Sequence, residues 1–550
     1  MIGHACTRFA LESLRRLLHR TTALSLAAIS LLSSICPVYC DDSGQGARRP
    51  NIVLILGDDI GYSDYGCYGG EIATPNIDRL AREGLQFTQF YNNAVCVPTR
   101  ASVMSGLYPR HIPGIRLPDE ITTVAEVLGA AGYRATLSGK WHLGSKKPNR
   151  PIDRGFVEYY GLADGCCNYF DPARLDPLFE GGDGIRDWMH NEKFIREFPA
   201  DFYSTDAITD HAIAQIRTAV AENKPFFTHV CFTAAHSPLH AKPADIAKYK
   251  GKYAEGWDVI RERRRLRQIE LGLTDSAWAV PPREREVKAW AVISGEGKPL
   301  RPWKESLMET YAAMVDSLDQ NVGRILATLE ETGTAERTIV IVLNDNGGCA
   351  EQAGGDDPTN IPGPKEHYVS CGPGWAYVQN TPFRRYKAWV HEGGISTPCV
   401  VRWPGVVRGG SRTAEVGHVI DILPTLAEIG GAAAATERNG KPLLNPEGRS
   451  LAPVLRGEKP ADRGNLYWAS LDNRAIRQGD WKLVWDQDIR RWELYDLARD
   501  RTEMNDLAMA KPELAAELER DWTAWAERTG ASRRLGERYN IGKRPAPPRK

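Results

Sequence analysis

Asn51-Ile-Val-Leu-Ile-Leu-Gly57, followed at once by Asp58-Asp59, is the stretch that decides the fold. Its five central residues are all apolar and three are β-branched, with no polar alternation. A run of this kind predicts a strand buried on both faces, as in the middle of a parallel sheet covered by helices on each side. In such sheets ligands bind beyond the carboxyl ends of the strands. Asp58-Asp59 therefore stand where a pocket is expected.

Working outward, the same pattern recurs. A helix is predicted over 123–131, with Thr123 and Glu126 at capping-box spacing and Gly132 behind it. A strand over 134–138 follows and runs out at Lys140. Pro225 introduces a second buried strand over 226–233, which stops before His236. Met314, Leu318, Val322, Ile325, Leu326 and Leu329 fall at helical spacing, Gly333 ends that helix, and 338–343 reads as a strand delivering Asp345-Asn346. Strands alternating with helices predict an α/β fold: a mostly parallel mixed sheet sandwiched by helices. Each apolar run ends on a charged or polar side chain, the first functional signal in the chain.

Beyond about residue 440 the texture changes. Residues 473–485 and 491–496 read as hairpin strands around Gly479-Asp480, followed by a helix over 512–528. We expect a catalytic domain over 50–440, a smaller C-terminal antiparallel subdomain over 441–532, and a basic, Pro-rich, solvated tail over 533–550. No internal repeat is present.

The 550 residues are 42% hydrophobic and 25% charged, which excludes a disordered chain. Lys plus Arg and Asp plus Glu balance at 70 each, so no net field recruits nucleic acid or an anionic membrane; an anion must be held by a local cluster. Arg8, Arg15, Arg16 and Arg20 precede an apolar run over 23–32 and a segment ending in Cys40. That order predicts a signal peptide over 1–40, hence an exported protein, periplasmic or secreted, with no stable membrane span after cleavage. Of 11 cysteines, Cys6, Cys36 and Cys40 would leave with it, and the rest form no disulfide framework by spacing.

Cys96-Val-Pro-Thr-Arg100, continuing to Gly106, puts a cysteine at the first residue of a short helix, a proline in its first turn and a glycine at its stop. The free N–H groups and dipole there favour an anion beside Cys96, with Arg100 one turn on. On local physics alone, an inert thiol, a low-pKa thiolate and a catalytic precursor all remain open. A lone Lys140, His142, His236 or Lys387 is equally ambiguous, since such side chains usually pack or are solvated.

The Cys-x-Pro-x-Arg core with Gly106-Leu-Tyr-Pro-Arg110 resembles the signature of the type I sulfatase family, which belongs to the alkaline phosphatase superfamily, and most resembles its arylsulfatase and N-acetylgalactosamine sulfatase members. The resemblance extends from residue 50 to about 507. It implies an alkaline phosphatase-like fold and oxidation of Cys96 to formylglycine by a formylglycine-generating enzyme. Asp58 and Asp59 look like the family's first pair of metal ligands, and Asp345 and Asn346 in Leu343-Asn-Asp-Asn-Gly347 like the second. With the modified Cys96 they make an all-oxygen site suited to Ca²⁺ or Mg²⁺ and not to Zn²⁺, and no competing cluster of His and Cys is visible along the chain. By the same resemblance Lys140, in Gly139-Lys-Trp-His-Leu-Gly144, and Lys387 hold the sulfate. Arg100 and His142 hold the hydrated aldehyde, and His236 protonates the departing alcohol. His229, His240 and His391 fall on no motif position.

The implied substrate is a sulfated carbohydrate or aryl sulfate. Selectivity is expected from loops over 164–187 and 349–385, where Trp375 and Tyr377 either stack on sugar rings or pack. Phosphatases and phosphodiesterases of the same superfamily rely on two zinc ions, and the hard-oxygen set favours sulfate over them. A non-catalytic binder of sulfated glycans is the reading from a different class.

Overall fold

The structure is a computed structural model that describes residues 49–536 apart from 113–116, 178–183, 294–298, 434 and 439. The expected signal peptide and the chain beyond 536 lie outside the described residues.

The decisive stretch forms β1 (Asn51–Gly57), every residue of it buried. Its alternate side chains serve two cores: Val53 and Ile55 enter one, Ile52, Leu54 and Leu56 the other. This is the physical reason for a continuous apolar run, since each of these side chains is worth about 1.5–3 kcal/mol on burial and neither face meets water.

The large sheet is completed by β2 (Leu85–Tyr91), β3 (Arg134–Gly139), β4 (Glu158–Leu162), β5 (Trp188–His190), β6 (Lys193–Ile195), β7 (Phe226–Cys231), β8 (Thr338–Asn344), β9 (Ser396–Arg402), β10 (Ser411–Thr413) and β11 (Gly417–His418). The strand order is β10-β2-β9-β8-β1-β7-β3-β4-β5-β6, with β11 also on β2. The central strands β8, β1, β7, β3 and β4 are mutually parallel, while β9 joins antiparallel to both β8 and β2, and β5 and β6 form an antiparallel edge. Helices Ser204–Ala221 and Leu300–Glu331 contribute to the first core, Cys96–Ser105, Val124–Ala130 and Ile422–Ile429 to the second. The mixed, mostly parallel α/β sandwich expected from the sequence is the fold observed.

Thr123 makes the expected capping box with Glu126. The helix predicted from Met314 onward begins well before it, at Leu300, because Trp303, Leu307, Met308 and Tyr311 continue its buried stripe. The strand predicted over 226–233 stops at Cys231, two residues early. Among the described residues no helix is long and apolar enough to cross a membrane, and no cysteine is in a disulfide.

After a two-residue ribbon, β12 (Glu437–Arg438) with β13 (Lys441–Pro442), the C-terminal part builds a separate four-stranded antiparallel sheet: β14 (Leu466–Ser470), β15 (Asn473–Gln478), β16 (Trp481–Asp486) and β17 (Arg491–Asp496). Helix Pro512–Arg528 covers it with Leu518, Trp522 and Trp525. Tyr91, Ile395 and Ile420 of the main body enter the same core. Residues Ala531–Arg534 form a further short turn.

Candidate functional site

The carboxyl ends of the parallel strands converge. Asp58 and Asp59 follow β1, Lys140 follows β3, His236 lies five residues past β7, and Asp345 and Asn346 follow β8. Helix Cys96–Ser105 points its first residue into the same space, with Gly106 closing it in a left-handed conformation at φ 70°.

The side chains form one connected network. Lys140 Nζ lies 2.6 Å from Asp58 Oδ2. Arg100 donates to Asp345 Oδ2 from Nη2 at 2.7 Å and from Nε at 3.0 Å, and to the Lys140 carbonyl at 2.8 Å. Lys387 Nζ sits 2.8 Å from Asp59 Oδ1 and 3.3 Å from His236 Nε2, and Asn346 Nδ2 donates to Asp59 Oδ1 at 2.6 Å. Cys96 Sγ is 3.4 Å from His142 Nδ1. Each candidate residue singled out in the sequence therefore lies in this one region. Asp59, Ala94, His142 and Ala388 adopt left-handed backbone angles there, with φ of 57°, 63°, 58° and 77°. Non-glycine residues hold such angles at a cost of about 1–3 kcal/mol each, a pattern that clusters at functional sites.

The electrostatics follow from burial. Burial pushes Asp345 up to about 6, with Asp58 adding to the rise and Arg100 opposing it. Burial works against the charge of Asp59 too, but His236 and Lys387 outweigh it and hold its carboxyl below the usual range. Burial lowers His236 to about 4 and, with Lys140 and Arg100, takes His142 well below its ordinary value. Burial raises the Cys96 thiol, with Lys140 and Lys387 opposing the rise.

Two buried oxygens, Asp58 Oδ1 and Asn346 Oδ1, have no hydrogen-bond partner. An orphaned buried acceptor costs about 1–3 kcal/mol, and two on facing strand ends, beside the carboxylates of Asp59 and Asp345, fit a cation that would take both. The donor set is all oxygen, which suits a hard divalent ion. His236 Nε2 also falls within 4.8 Å of Asp58 and Asp59 carboxylate oxygens, but the ammonium of Lys387 stands 3.3 Å from it. A second metal there would face that positive charge.

Sequence reasoning missed two features and left a third open. Gly165 packs flat on His142: a Cβ there would come within 2.6 Å of His142 Cε1. Gly165→Ala is therefore expected to swing the imidazole off position 96 and lower kcat about 100-fold with little change in thermal stability, read by steady-state kinetics beside a melting curve. Second, a cavity of about 620 Å³ adjoins Lys387 and Val95, walled by Tyr386 and Trp389 with Glu286 and Glu351. Third, of the two outcomes left open for Trp375 and Tyr377, packing is the one observed. Trp375 is fully buried against Trp257, Trp290 and Tyr253 and donates to the Lys304 carbonyl, and Tyr377 lies under Arg261. His229, His240 and His391 are buried and bonded to Leu54, His367 and Glu493.

A strand-end site on a helix-covered mixed sheet, with paired acidic groups facing lysines and an arginine, defines a hydrolase of anionic esters. Residues 50–432 match the sulfatase family model, and residues 384–524 match that of the N-sulphoglucosamine sulphohydrolase C-terminal region. An uncharacterised sulfatase of Schizosaccharomyces pombe is 32% identical over 88% of this chain and 94% of its own length. The arylsulfatase of Klebsiella aerogenes is 32% identical over 76% and 95%. The crystal structure of Ps i-CgsB in complex with k-i-k-neocarrahexaose superposes with a TM-score of 0.65 at 25% identity, covering 87% of this chain and 93% of that one. The chain belongs to the type I sulfatase family of the alkaline phosphatase superfamily. It is a sulfuric ester hydrolase.

Proposed function

We propose that this chain is an exported, calcium-dependent sulfatase that releases inorganic sulfate from a sulfated carbohydrate, with formylglycine at position 96 as nucleophile. The observation that carries this reading is the pair of unpartnered oxygens, Asp58 Oδ1 and Asn346 Oδ1, set among buried cations around Cys96. When present, the calcium ion would supply a fixed charge opposite the sulfate, and the hydrated aldehyde would supply one hydroxyl as nucleophile and a second whose deprotonation re-forms the aldehyde and expels sulfate from the first. Asp58, Asp59, Asp345 and Asn346 would hold the ion, together with the modified side chain at position 96.

The remaining steps belong to the chain's own side chains. Lys140 and Lys387, held charged by Asp58 and Asp59, grip the sulfate oxygens as negative charge builds. Arg100 fixes Asp345, which receives a proton from the group at position 96. His236 donates Nδ1–H to the Ser237 carbonyl at 2.7 Å, leaving Nε2 aimed at the site. An arriving anion favours its protonated form, so Nε2 can hand a proton to the departing alcohol. His142, neutral and 3.4 Å from position 96, takes the second proton that lets sulfate leave.

We assign residues 50–440 to the catalytic domain, 441–532 to the C-terminal subdomain and 533–550 to the tail. The first 40 residues form the signal, so Asp41 is the expected mature N-terminus. A formylglycine-generating enzyme in the producing cell is the maturation partner. Tyr386 and Trp389 border the cavity beside Lys387, though both are largely buried and Arg385 covers one face of Trp389, and the neighbour solved with k-i-k-neocarrahexaose supports a carbohydrate substrate.

The test combines mass analysis of the peptide containing Cys96 with parallel assays of sulfate and phosphate esters. An aldehyde at Cys96 and preferred sulfate turnover are expected; a fully unmodified thiol in active protein, or preference for phosphate, overturns the reading. Chelation with EGTA is expected to lower turnover at least about 100-fold, with recovery on Ca²⁺ and not on Zn²⁺.

A further inference from the structure

Glu158, His190 and His211 are 32 and 21 residues apart in succession and form no motif, yet the fold brings them together, a cluster that inspection of the sequence alone passes over. Glu158 opens β4, His190 closes the antiparallel neighbour β5, where it lies opposite Tyr160, and His211 sits on helix Ser204–Ala221, which packs on β3, β4 and β7. One donor atom from each lies within 4.8 Å of the others. His190 Nε2 is 2.5 Å from Glu158 Oε1, His211 Nε2 is 3.8 Å from the same oxygen, and Asn191 Nδ2 donates to it at 3.2 Å.

A simple His–Glu ion pair accounts for His190 but not for His211. The Nε2 of His211 is buried and makes no hydrogen bond, while its Nδ1 lies 2.7 Å from Ser138 Oγ. With Nδ1–H donated to that hydroxyl, Nε2 presents a lone pair to the cluster, the arrangement in which a ligating imidazole is oriented from behind.

We infer that Glu158, His190 and His211 form a second metal site, for a zinc-type transition ion, separate from the oxygen-lined site at the strand ends. Two imidazole nitrogens and one carboxylate oxygen suit Zn²⁺ and do not suit Ca²⁺. Donors ~2 Å from one ion stand roughly 3.3 Å apart, so His211 needs to close on Glu158 by about 0.5 Å and His190 to draw back from it by about 0.8 Å. Both can do so, since the cluster borders a cavity of about 450 Å³ walled by Tyr160, Phe202, Tyr203 and Asp210. That cavity gives water the fourth position. The ion would staple the short edge strands β5 and β6 to a helix, and Ser138 behind it lies on β3 two residues before Lys140.

Cobalt provides the test, because tetrahedral N/O coordination gives an intense, red-shifted visible band, whereas the octahedral aquo ion absorbs only weakly and calcium not at all. The full chain is titrated with Co²⁺ in excess Ca²⁺, which fills the oxygen set. One equivalent of visible-absorbing Co²⁺, displaced by Zn²⁺, is expected. His190→Ala, at a side chain 49% exposed, should weaken it at least about 100-fold while sulfatase turnover is unchanged. His211→Ala should do the same. Absence of the band at ~0.1 mM Co²⁺, or a band undiminished in His190→Ala, overturns the inference.

Discussion

Cys96→Ala is expected to abolish steady-state sulfate-ester turnover, by at least about 10⁴-fold in kcat, with no loss of fold. The side chain is small and only 5% exposed, its sulfur lies 3.4 Å from His142 Nδ1, and neither the helix nor its Gly106 stop depends on the sulfur. Nothing else at the strand ends replaces an oxygen nucleophile: Asp58, Asp59 and Asp345 are committed to Lys140, Lys387 and Arg100. Cys96→Ser sharpens the test. A single hydroxyl can attack sulfur but carries no second proton for release, so a burst of at most one turnover per chain is expected. Steady multiple turnover by either variant would remove position 96 from the chemistry.

Lys482→Met is expected to lower unfolding stability by about 3–5 kcal/mol, measured by denaturant unfolding. Lys482 is fully buried on β16, with Nζ 2.9 Å from Glu392 Oε1 and 2.8 Å from Glu503 Oε1. Glu392 also takes Arg501 and Tyr91, so it stays compensated, whereas Glu503 loses the cation it is paired with. Burial already raises Glu503 to about 7 against the pull of Lys482. A carboxyl whose pKa is higher folded than unfolded keeps its proton longer in the native state, and stability falls as pH rises through that interval. Without Lys482 the interval extends upward, so the deficit should grow between pH 7 and 9. Lys482→Met with Glu503→Gln should recover most of it. A loss independent of pH would show that packing, and not this charge, is what the lysine provides.

The same lysine matters to the site. Glu392 opens the short helix Glu392–Ile395 directly after the loop carrying Lys387. Arg385 ties that loop to Asp486 at 2.7 Å, and Ala388 N–H donates to the Ala94 carbonyl at 2.8 Å, next to the nucleophile turn. The C-terminal sheet thereby braces one of the two lysines proposed to grip the sulfate, and kcat/KM should fall in Lys482→Met well below its melting temperature.

By itself the sequence determined the central strands and what stands at their ends. β1 and β8 are legible because burial on both faces leaves an unbroken apolar run until the strand stops, and β3 and β7 remain mostly apolar although Thr136, Ser138, Thr228 and His229 are buried in them, so Asp58, Lys140 and Asp345 mark themselves. It also determined the hairpin at Gly479-Asp480 and the helix Pro512–Arg528, whose turn chemistry and apolar stripe are local. Tertiary structure alone decided the rest. β2 carries Gln86 and Gln89, and β9 carries Pro398, yet they pair with each other antiparallel across about three hundred residues, and β8 takes the other edge of β9. Trp375 shows the same limit, since an aromatic ring gains by burial in a core or against a sugar alike, and only its neighbours decide between them. Gly165 against His142, and Glu158 beside His190 and His211, depend on distances between segments, and a linear chain records chemistry along itself but no distance across the fold.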